Sequence, residues 1–371
     1  MKPIRFPDYT RSIMNVSSSI LRHYGAATDK ATLAELDEVL SARPRNVVLI
    51  LVDALGDALV DRHLSAEARI VRDRRCRITS VFPSTTVSAT TSVLSGKTPL
   101  ETGWLGWAQW FRKEQRTVIT FLDTDFYTDE AIGHAVAAAT IPYESIYDQI
   151  RKAAPDVSTA EIFPAFRTPA HDTFAKLLAA VKTACDEPGR HFVYAYWDKV
   201  DSLAHEFGPG SVEVNAMVRG IDAAYGAFVD QVEDAVVILI ADHGQVDVCP
   251  IVLDDYPDLL ALCERLPSIE TRAAAFFVKA GQEEAFRTLF NHYFRDYFAL
   301  YRSADLVKNN LFGEGLKHPE FDSFVGDFIA VAIEHYFFAF RRFPGYFRGQ
   351  HAGILKDEML VPLVIASRPA K

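Results

Sequence analysis

Two stretches constrain this chain more than any others: "VVLILVD", Val47 to Asp53, and "VVILIAD", Val236 to Asp242. Each is an unbroken aliphatic run that ends on an acid. Neither alternates apolar with polar residues, so side chains on both faces of each strand need cover. Such strands sit in the middle of a parallel sheet with helices on both sides. In open sheets of that kind, ligands bind beyond the carboxyl ends of the strands. That rim is where both runs place their aspartates.

The rest of the chain fits this frame. The patterning predicts strands over 46–53, 76–83, 117–123, 158–164, 191–198 and 235–242, and helices over 85–96, 172–187 and 211–234. Alternating strands and helices imply an α/β fold with a mostly parallel central sheet sandwiched by helices. Residues 1–45 read as an N-terminal helical extension that closes on the loop "SARPRN". Residues 46–250 and 346–371 read as the core, whose last strand is "LVPLVIAS". Between them, 251–345 is rich in Phe and Tyr and reads as a smaller inserted α+β cap.

Composition excludes several functions. The chain has 371 residues, 49% of them hydrophobic, and a net charge of −10. That balance argues against a nucleic-acid-binding surface or attraction to anionic lipid. No apolar run reaches the ~20 residues of a membrane span, and the first residues show no run of signal-peptide length. Cys76, Cys185, Cys249 and Cys263 are scattered and form no metal or disulfide pattern, which points to a reducing, cytoplasmic setting. Nothing in the sequence fixes the oligomeric state.

Histidines accompany the rim acids. "DSLAHEFGP" places His205 four residues after Asp201, "IADHGQ" places His243 directly after Asp242, and "GQHAG" carries His351 between glycines. Acids gathered on one rim repel one another unless cations lie between them. Carboxylate and imidazole together suit zinc or manganese. Each motif alone also has a plain reading. Asp53 could cap the next helix, Asp201 and His205 could form an ion pair on a helix face, and the other two could be ordinary turns.

Taken in order, the motifs resemble the nucleotide pyrophosphatase/phosphodiesterase branch of the alkaline phosphatase superfamily. "LILVDALGD" is similar to its first metal-ligand strand, and "VFPSTT" to its nucleophile segment, with a threonine three residues after the proline. "DSLAHEFGP", "IADHGQ" and "GQHAG" resemble its remaining metal motifs. The resemblance implies an alkaline-phosphatase-like fold and two divalent ions, zinc first and manganese second. One ion would be held by Asp201, His205 and His351, the other by Asp53, Asp242, His243 and the Thr86 hydroxyl. It also implies that Thr86 is the catalytic nucleophile. On chemistry alone Ser84, Thr85, Thr90 and Thr91 compete with it, and only the Phe-Pro spacing singles it out.

The implied activity is hydrolysis of phosphodiester or pyrophosphate bonds in small, nucleotide-like substrates through a phospho-threonine intermediate. Phosphomonoesterase, phosphomutase, phosphonate hydrolase and sulfate ester hydrolase remain rival readings, as does a non-catalytic metal- or phosphate-binding protein. Candidate substrate contacts are Thr90 and Arg272 for the phosphate and Trp104 and Trp107, in "GWLGWAQWF", for the pocket wall.

Overall fold

A computed structural model describes residues 4–370. The central sheet has six strands in the order Arg74–Thr79, Leu360–Arg368, Ala235–Ile240, Asn46–Val52, Arg190–Trp197 and Val157–Ile162. The last four run parallel. Leu360–Arg368 runs antiparallel to both of its neighbours. Every residue of Asn46–Val52 and Ala235–Ile240 is buried, as their unalternated sequences require.

Register places the acids. Val52 pairs with Trp197, and Leu51 with Ile240. Carried forward, that register sets Asp53 level with Asp198 on one side and Asp242 on the other. The turns beyond the two runs also touch. A Cβ on Gly56 would lie 2.4 Å from the Gly244 Cα, so only glycine lets the two backbones approach this closely.

Helices Phe174–Asp186 and Val212–Gln231 cover the sheet through apolar residues at helical spacing, among them Leu177, Val181, Val214, Val218 and Ile221. The first helix of the expected N-terminal extension belongs to the core. Helix Ile13–His23 buries Ile13, Met14, Val16 and Ile20 in the same core as the central strands. Ser17 Oγ also donates to the Val93 carbonyl of the Thr86–Ser95 helix. The amphipathic pattern was legible, but the pattern alone does not say which core a helix joins.

A second sheet has seven strands. Four come from the expected cap: Cys263–Glu270, Ala273–Val278, Phe298–Arg302 and Phe328–Ala332. Three come from much earlier in the chain: Ala108–Phe111, Arg116–Ile119 and Thr124–Asp125. The strand expected over 117–123 therefore belongs here rather than to the central sheet. One antiparallel pairing, Ile269 with Ala108, joins the two groups. The cap is thus built from two separated segments, not from 251–345 alone. One face of this sheet buries an aromatic core that includes Phe276, Phe286, Phe290, Phe298 and Phe338.

Candidate active site

Five segments converge on the rim of the central sheet. Asp53 follows the Asn46–Val52 strand, and Asp242 and His243 follow Ala235–Ile240. Helix Lys199–Phe207 presents Asp201 and His205 one turn apart. Thr86 opens helix Thr86–Ser95. His351 follows the short strand Gly349–Gln350, which pairs with Val246–Asp247.

Their side chains meet. Thr86 Oγ1 lies 3.4 and 3.3 Å from the two Asp53 oxygens and 3.2 Å from His243 Nε2. His243 Nε2 lies 3.4 Å from Asp53 Oδ1 and 3.4 Å from Asp242 Oδ2. His205 Nε2 is 3.3 Å from Asp201 Oδ2, and His351 Nε2 is 3.7 Å from Asp201 Oδ1. Among the described residues, two groups have ligand atoms all within 4.8 Å of one another: Asp201 with His205 and His351, and Asp53 with Asp201 and His243. Asp201 therefore lies between the two expected ligand sets rather than wholly within one.

The donor set fits divalent cations, and the imidazoles give the reason. The Nδ1 atoms of His205, His243 and His351 lie 2.8, 3.1 and 3.2 Å from the carbonyls of Gly349, Gly244 and Ser84. A carbonyl only accepts, so each Nδ1 carries the proton. Each neutral ring then turns the lone pair of Nε2 toward the carboxylates. Lone pairs facing carboxylate oxygens repel unless a cation lies between them. Asp242 Oδ2, fully buried, has no hydrogen-bond partner among the described residues.

Electrostatics agree with this reading. Burial raises Asp53 well above the ordinary carboxylate value, and Asp242 and Asp201 raise it further. Asp242 is also raised, by burial against the pull of His243. Burial drives His351 well below the ordinary imidazole value, and His243, stacked on it at 3.8 Å, adds to the effect. His205 goes the other way: burial lowers it, but Asp201 one turn away outweighs that and raises it. Acids packed this closely need positive charge among them.

The four expected substrate contacts fare unevenly. Arg272 is fully buried and ion-paired with Glu358 at 2.7 Å, while its Nη1 donates to the carbonyls of Glu334 and Tyr336. Its donors serve the protein interior, so it is not a phosphate contact. Thr90 is nearly buried, and its hydroxyl donates to the Thr86 carbonyl at 2.6 Å, a bond within the helix. Trp104 is buried, with Nε1 donating to the Ile141 carbonyl, and so is a core residue. Trp107 is 40% exposed, and its backbone N–H donates to Glu270 at 2.7 Å. It alone of the four offers an open surface near the cluster.

Sequence reasoning missed three neighbours of the site. The Tyr196 hydroxyl donates to Asp53 Oδ2, Gln245 Nε2 donates to Asp201 Oδ1 at 3.0 Å, and Glu270 accepts from the Thr85 hydroxyl at 2.7 Å. Tyr196 and Gln245 lie within three residues of a strand-end acid, which was the available signal. Glu270, in "SIETR", comes from the other sheet and carried none.

The profile of the type I phosphodiesterase / nucleotide pyrophosphatase family matches residues 47–353. The chain belongs to that family of phosphoester hydrolases, whose members are generally metal-dependent. Among solved structures, murine ectonucleotide pyrophosphatase/phosphodiesterase 5, an inactive variant bound to AMP, is similar at TM-score 0.64 and 14% identity over 87% of each chain. Phosphonoacetate hydrolase from Sinorhizobium meliloti, bound to phosphonoformate, is similar at TM-score 0.65 and 15% identity, covering 88% of this chain and 91% of that one. These likenesses bear out the alkaline-phosphatase-like fold. No curated protein matches the chain. No described helix is long and apolar enough to cross a membrane.

Proposed function

We propose that this chain hydrolyses phosphodiester or pyrophosphate bonds of small, nucleotide-like substrates at a two-metal site, with Thr86 as the nucleophile. The observation that carries the proposal is the convergence of Thr86 with six carboxylate and imidazole ligands whose three Nδ1 atoms are all committed to carbonyls. Asp201, His205 and His351 would hold one cation, and Asp53, Asp242 and His243 the other, with Asp201 close enough to the second group to be shared. Bound zinc or manganese would supply the positive charge that lowers the pKa of a hydroxyl and offsets the charge of the phosphate.

The chain's own residues do the rest. Thr86, at the first position of its helix, points its oxygen into the cluster. The first turn of that helix carries N–H groups without intrahelical acceptors, suited to phosphate oxygens. Attack by Thr86 Oγ1 on phosphorus forms a phospho-threonine and breaks the bond to the leaving oxygen, which departs with a proton. Water then cleaves the Thr86 ester and restores the hydroxyl. Tyr196 and Gln245 hold Asp53 and Asp201 in place through their hydrogen bonds. Exposed aromatic rings flank the cluster and would face a leaving group. Trp107 is tied to Glu270, Phe347 lies 4.6 Å from the His205 ring, and Phe166 lies 6.2 Å from the Tyr196 ring.

Phosphonate hydrolysis is the second reading, because phosphonoacetate hydrolase is as similar in fold as the nucleotide phosphodiesterase. We place the protein in the cytoplasm on the strength of its four free cysteines. The test is turnover of bis(p-nitrophenyl) phosphate, p-nitrophenyl phosphate and phosphonoacetate by zinc- and manganese-loaded protein, with and without chelator. The diester should be preferred and chelator should abolish turnover. A preference for either other substrate under both metals would reverse the assignment.

A further inference from the structure

The strands Cys263–Glu270 and Ala273–Val278 are joined by a tight turn through Thr271 and Arg272. Both residues flanking Thr271 send ionisable side chains into the interior, and these reach different loops of the active site. Glu270 is 7% exposed, and its Oε1 accepts from the Thr85 hydroxyl and from the Trp107 N–H, both at 2.7 Å. Thr85 is the N-cap of the helix that begins at Thr86. Arg272 and Glu358 are both fully buried and share a forked pair, Nε to Oε1 and Nη2 to Oε2, each 2.7 Å. The same carboxylate accepts from the N–H groups of Gly353 at 2.8 Å and Leu355 at 3.1 Å. Gly353 lies two residues beyond His351. A Cβ placed on it would meet Glu358 Oε2 at 2.7 Å and Arg272 Nη2 at 3.0 Å. The two loops are also joined directly. Ser84 Oγ donates to the Gly353 carbonyl at 2.9 Å, and His351 Nδ1 meets the Ser84 carbonyl at 3.2 Å.

We propose that this turn of the second sheet is a two-armed positioning device for the active site. Glu270 fixes the nucleophile segment at Thr85 and Thr86, while Arg272, through Glu358, fixes the loop that carries His351. The turn and the two loops form one closed frame, so the second sheet sets the spacing between nucleophile and metal ligand. This inference rests on the roles given above to Thr86 and His351. A buried ion pair that served folding alone would not need a partner two residues from a ligand. A carboxylate that served packing alone would not need to accept from the residue beside the nucleophile.

The experiment takes full-length protein and reads three quantities: the thermal midpoint, zinc affinity by chelator competition, and kcat separately from KM. Glu270→Ala is expected to lower kcat by about tenfold to a hundredfold, since small misplacements of reacting groups have effects of that size. Zinc affinity and KM should change little. Glu270→Gln should restore kcat to within about threefold, because its amide oxygen accepts the same two hydrogen bonds. The paired change Arg272→Met with Glu358→Gln removes both buried charges together. It is expected to weaken zinc binding about 10- to 100-fold, the usual effect of losing a group that orients a ligand. Gly353→Ala, a milder lesion that displaces the same carboxylate, should weaken zinc in the same direction and serves if the paired variant does not fold. Wild-type kcat in Glu270→Ala, or wild-type zinc affinity in a folded variant of the second arm, would overturn the proposal. Wild-type protein that binds no zinc and turns over no ester would overturn the two-metal reading itself and this inference with it. The control is read before any variant, so the two failures are distinct.

Discussion

The two sheets of this molecule solve different problems. The central sheet is built from aliphatic runs such as Asn46–Val52 and Ala235–Ile240, buried on both faces, and its rim gathers the candidate site residues. The second sheet is antiparallel, packs a phenylalanine-rich core on one face, and is assembled from segments over a hundred residues apart. Of the two sheets, only the first ends in metal-ligand candidates, Asp53, Asp242 and His243, which the Lys199–Phe207 helix and the loop at His351 complete. The second contributes Glu270 and Arg272, which touch the loops rather than the ligands. The difference teaches that the reactive groups and the groups that hold them need not come from the same layer. A rim of acids is fixed by strand register, but the loops that complete it need bracing from elsewhere.

The sharpest way to break that division is to remove the nucleophile. Thr86→Ala should cost about 10⁴-fold or more in kcat, the scale seen when a nucleophile is removed, with the fold and metal content intact. Thr85→Ala should retain far more activity, because its hydroxyl bonds Glu270 and does not point into the cluster. Thr86→Ser should keep a measurable fraction. Normal turnover by Thr86→Ala would hand the attack to water and remove the reason for bracing this segment at all.

Next in size are the ligands. Asp242→Asn or His351→Ala should each lose at least one metal ion and most activity, as elemental analysis and the diester assay would read. Asp201 offers a finer probe, because it lies within reach of both groups. Asp201→Ala should lower the content of both ions, whereas His205→Ala should lower one. Full metal content in Asp242→Asn and His351→Ala would remove both residues from the ligand set.

A smaller effect concerns pH, and it falls on the second sheet. Burial raises Glu270 to about 7, against the hydrogen bonds from Thr85 and Trp107 that favour its charged form. In the unfolded chain it ionises at the ordinary value near 4.5. The folded state therefore holds a proton that the unfolded state has lost across that window. Stability from this group is fully present below about pH 4.5 and is lost as pH rises through about 7. The shift corresponds to roughly 3 kcal/mol at most. Denaturant titrations of metal-free protein should show wild type losing stability between about pH 4.5 and 7 more steeply than Glu270→Gln. Parallel curves for the two proteins would mean that Glu270 is already ionised in the fold.

Much of the first sheet was legible in sequence, and most of the second was not. Unalternated aliphatic runs ending on Asp53 and Asp242 identified central strands, and the rim on which the acids gather, because burial on both faces leaves no other pattern. Asp201 with His205 was legible because four residues separate them on a helix. Arg272 was misread because a lone arginine in an apolar segment looks like a free cation. Its partner, Glu358, lies 86 residues away, and local patterning carries no information about such pairs. The cap boundary failed for the same reason. A short strand such as Arg116–Ile119 announces that it is a strand, but its sheet is chosen by the Ala108–Ile269 pairing across the fold.

The smallest expected effect tests where the two sheets meet. Trp107 comes from the segment that opens the second sheet, yet it stands beside the nucleophile loop. Its backbone N–H holds Glu270, and its half-exposed ring lies 6.3 Å from Phe121. Trp107→Ala keeps the backbone bond and removes only the ring. Burying such a ring against an aromatic leaving group is worth on the order of 1 kcal/mol, a factor of about five in binding. KM for bis(p-nitrophenyl) phosphate should therefore rise several-fold while kcat holds, and Trp107→Phe should recover most of the loss. An aliphatic diester should show no such change, since it has no ring to stack. If kcat fell instead and KM did not move, the ring would be acting through Glu270. Trp107 would then belong with the bracing of the second sheet rather than with the substrate.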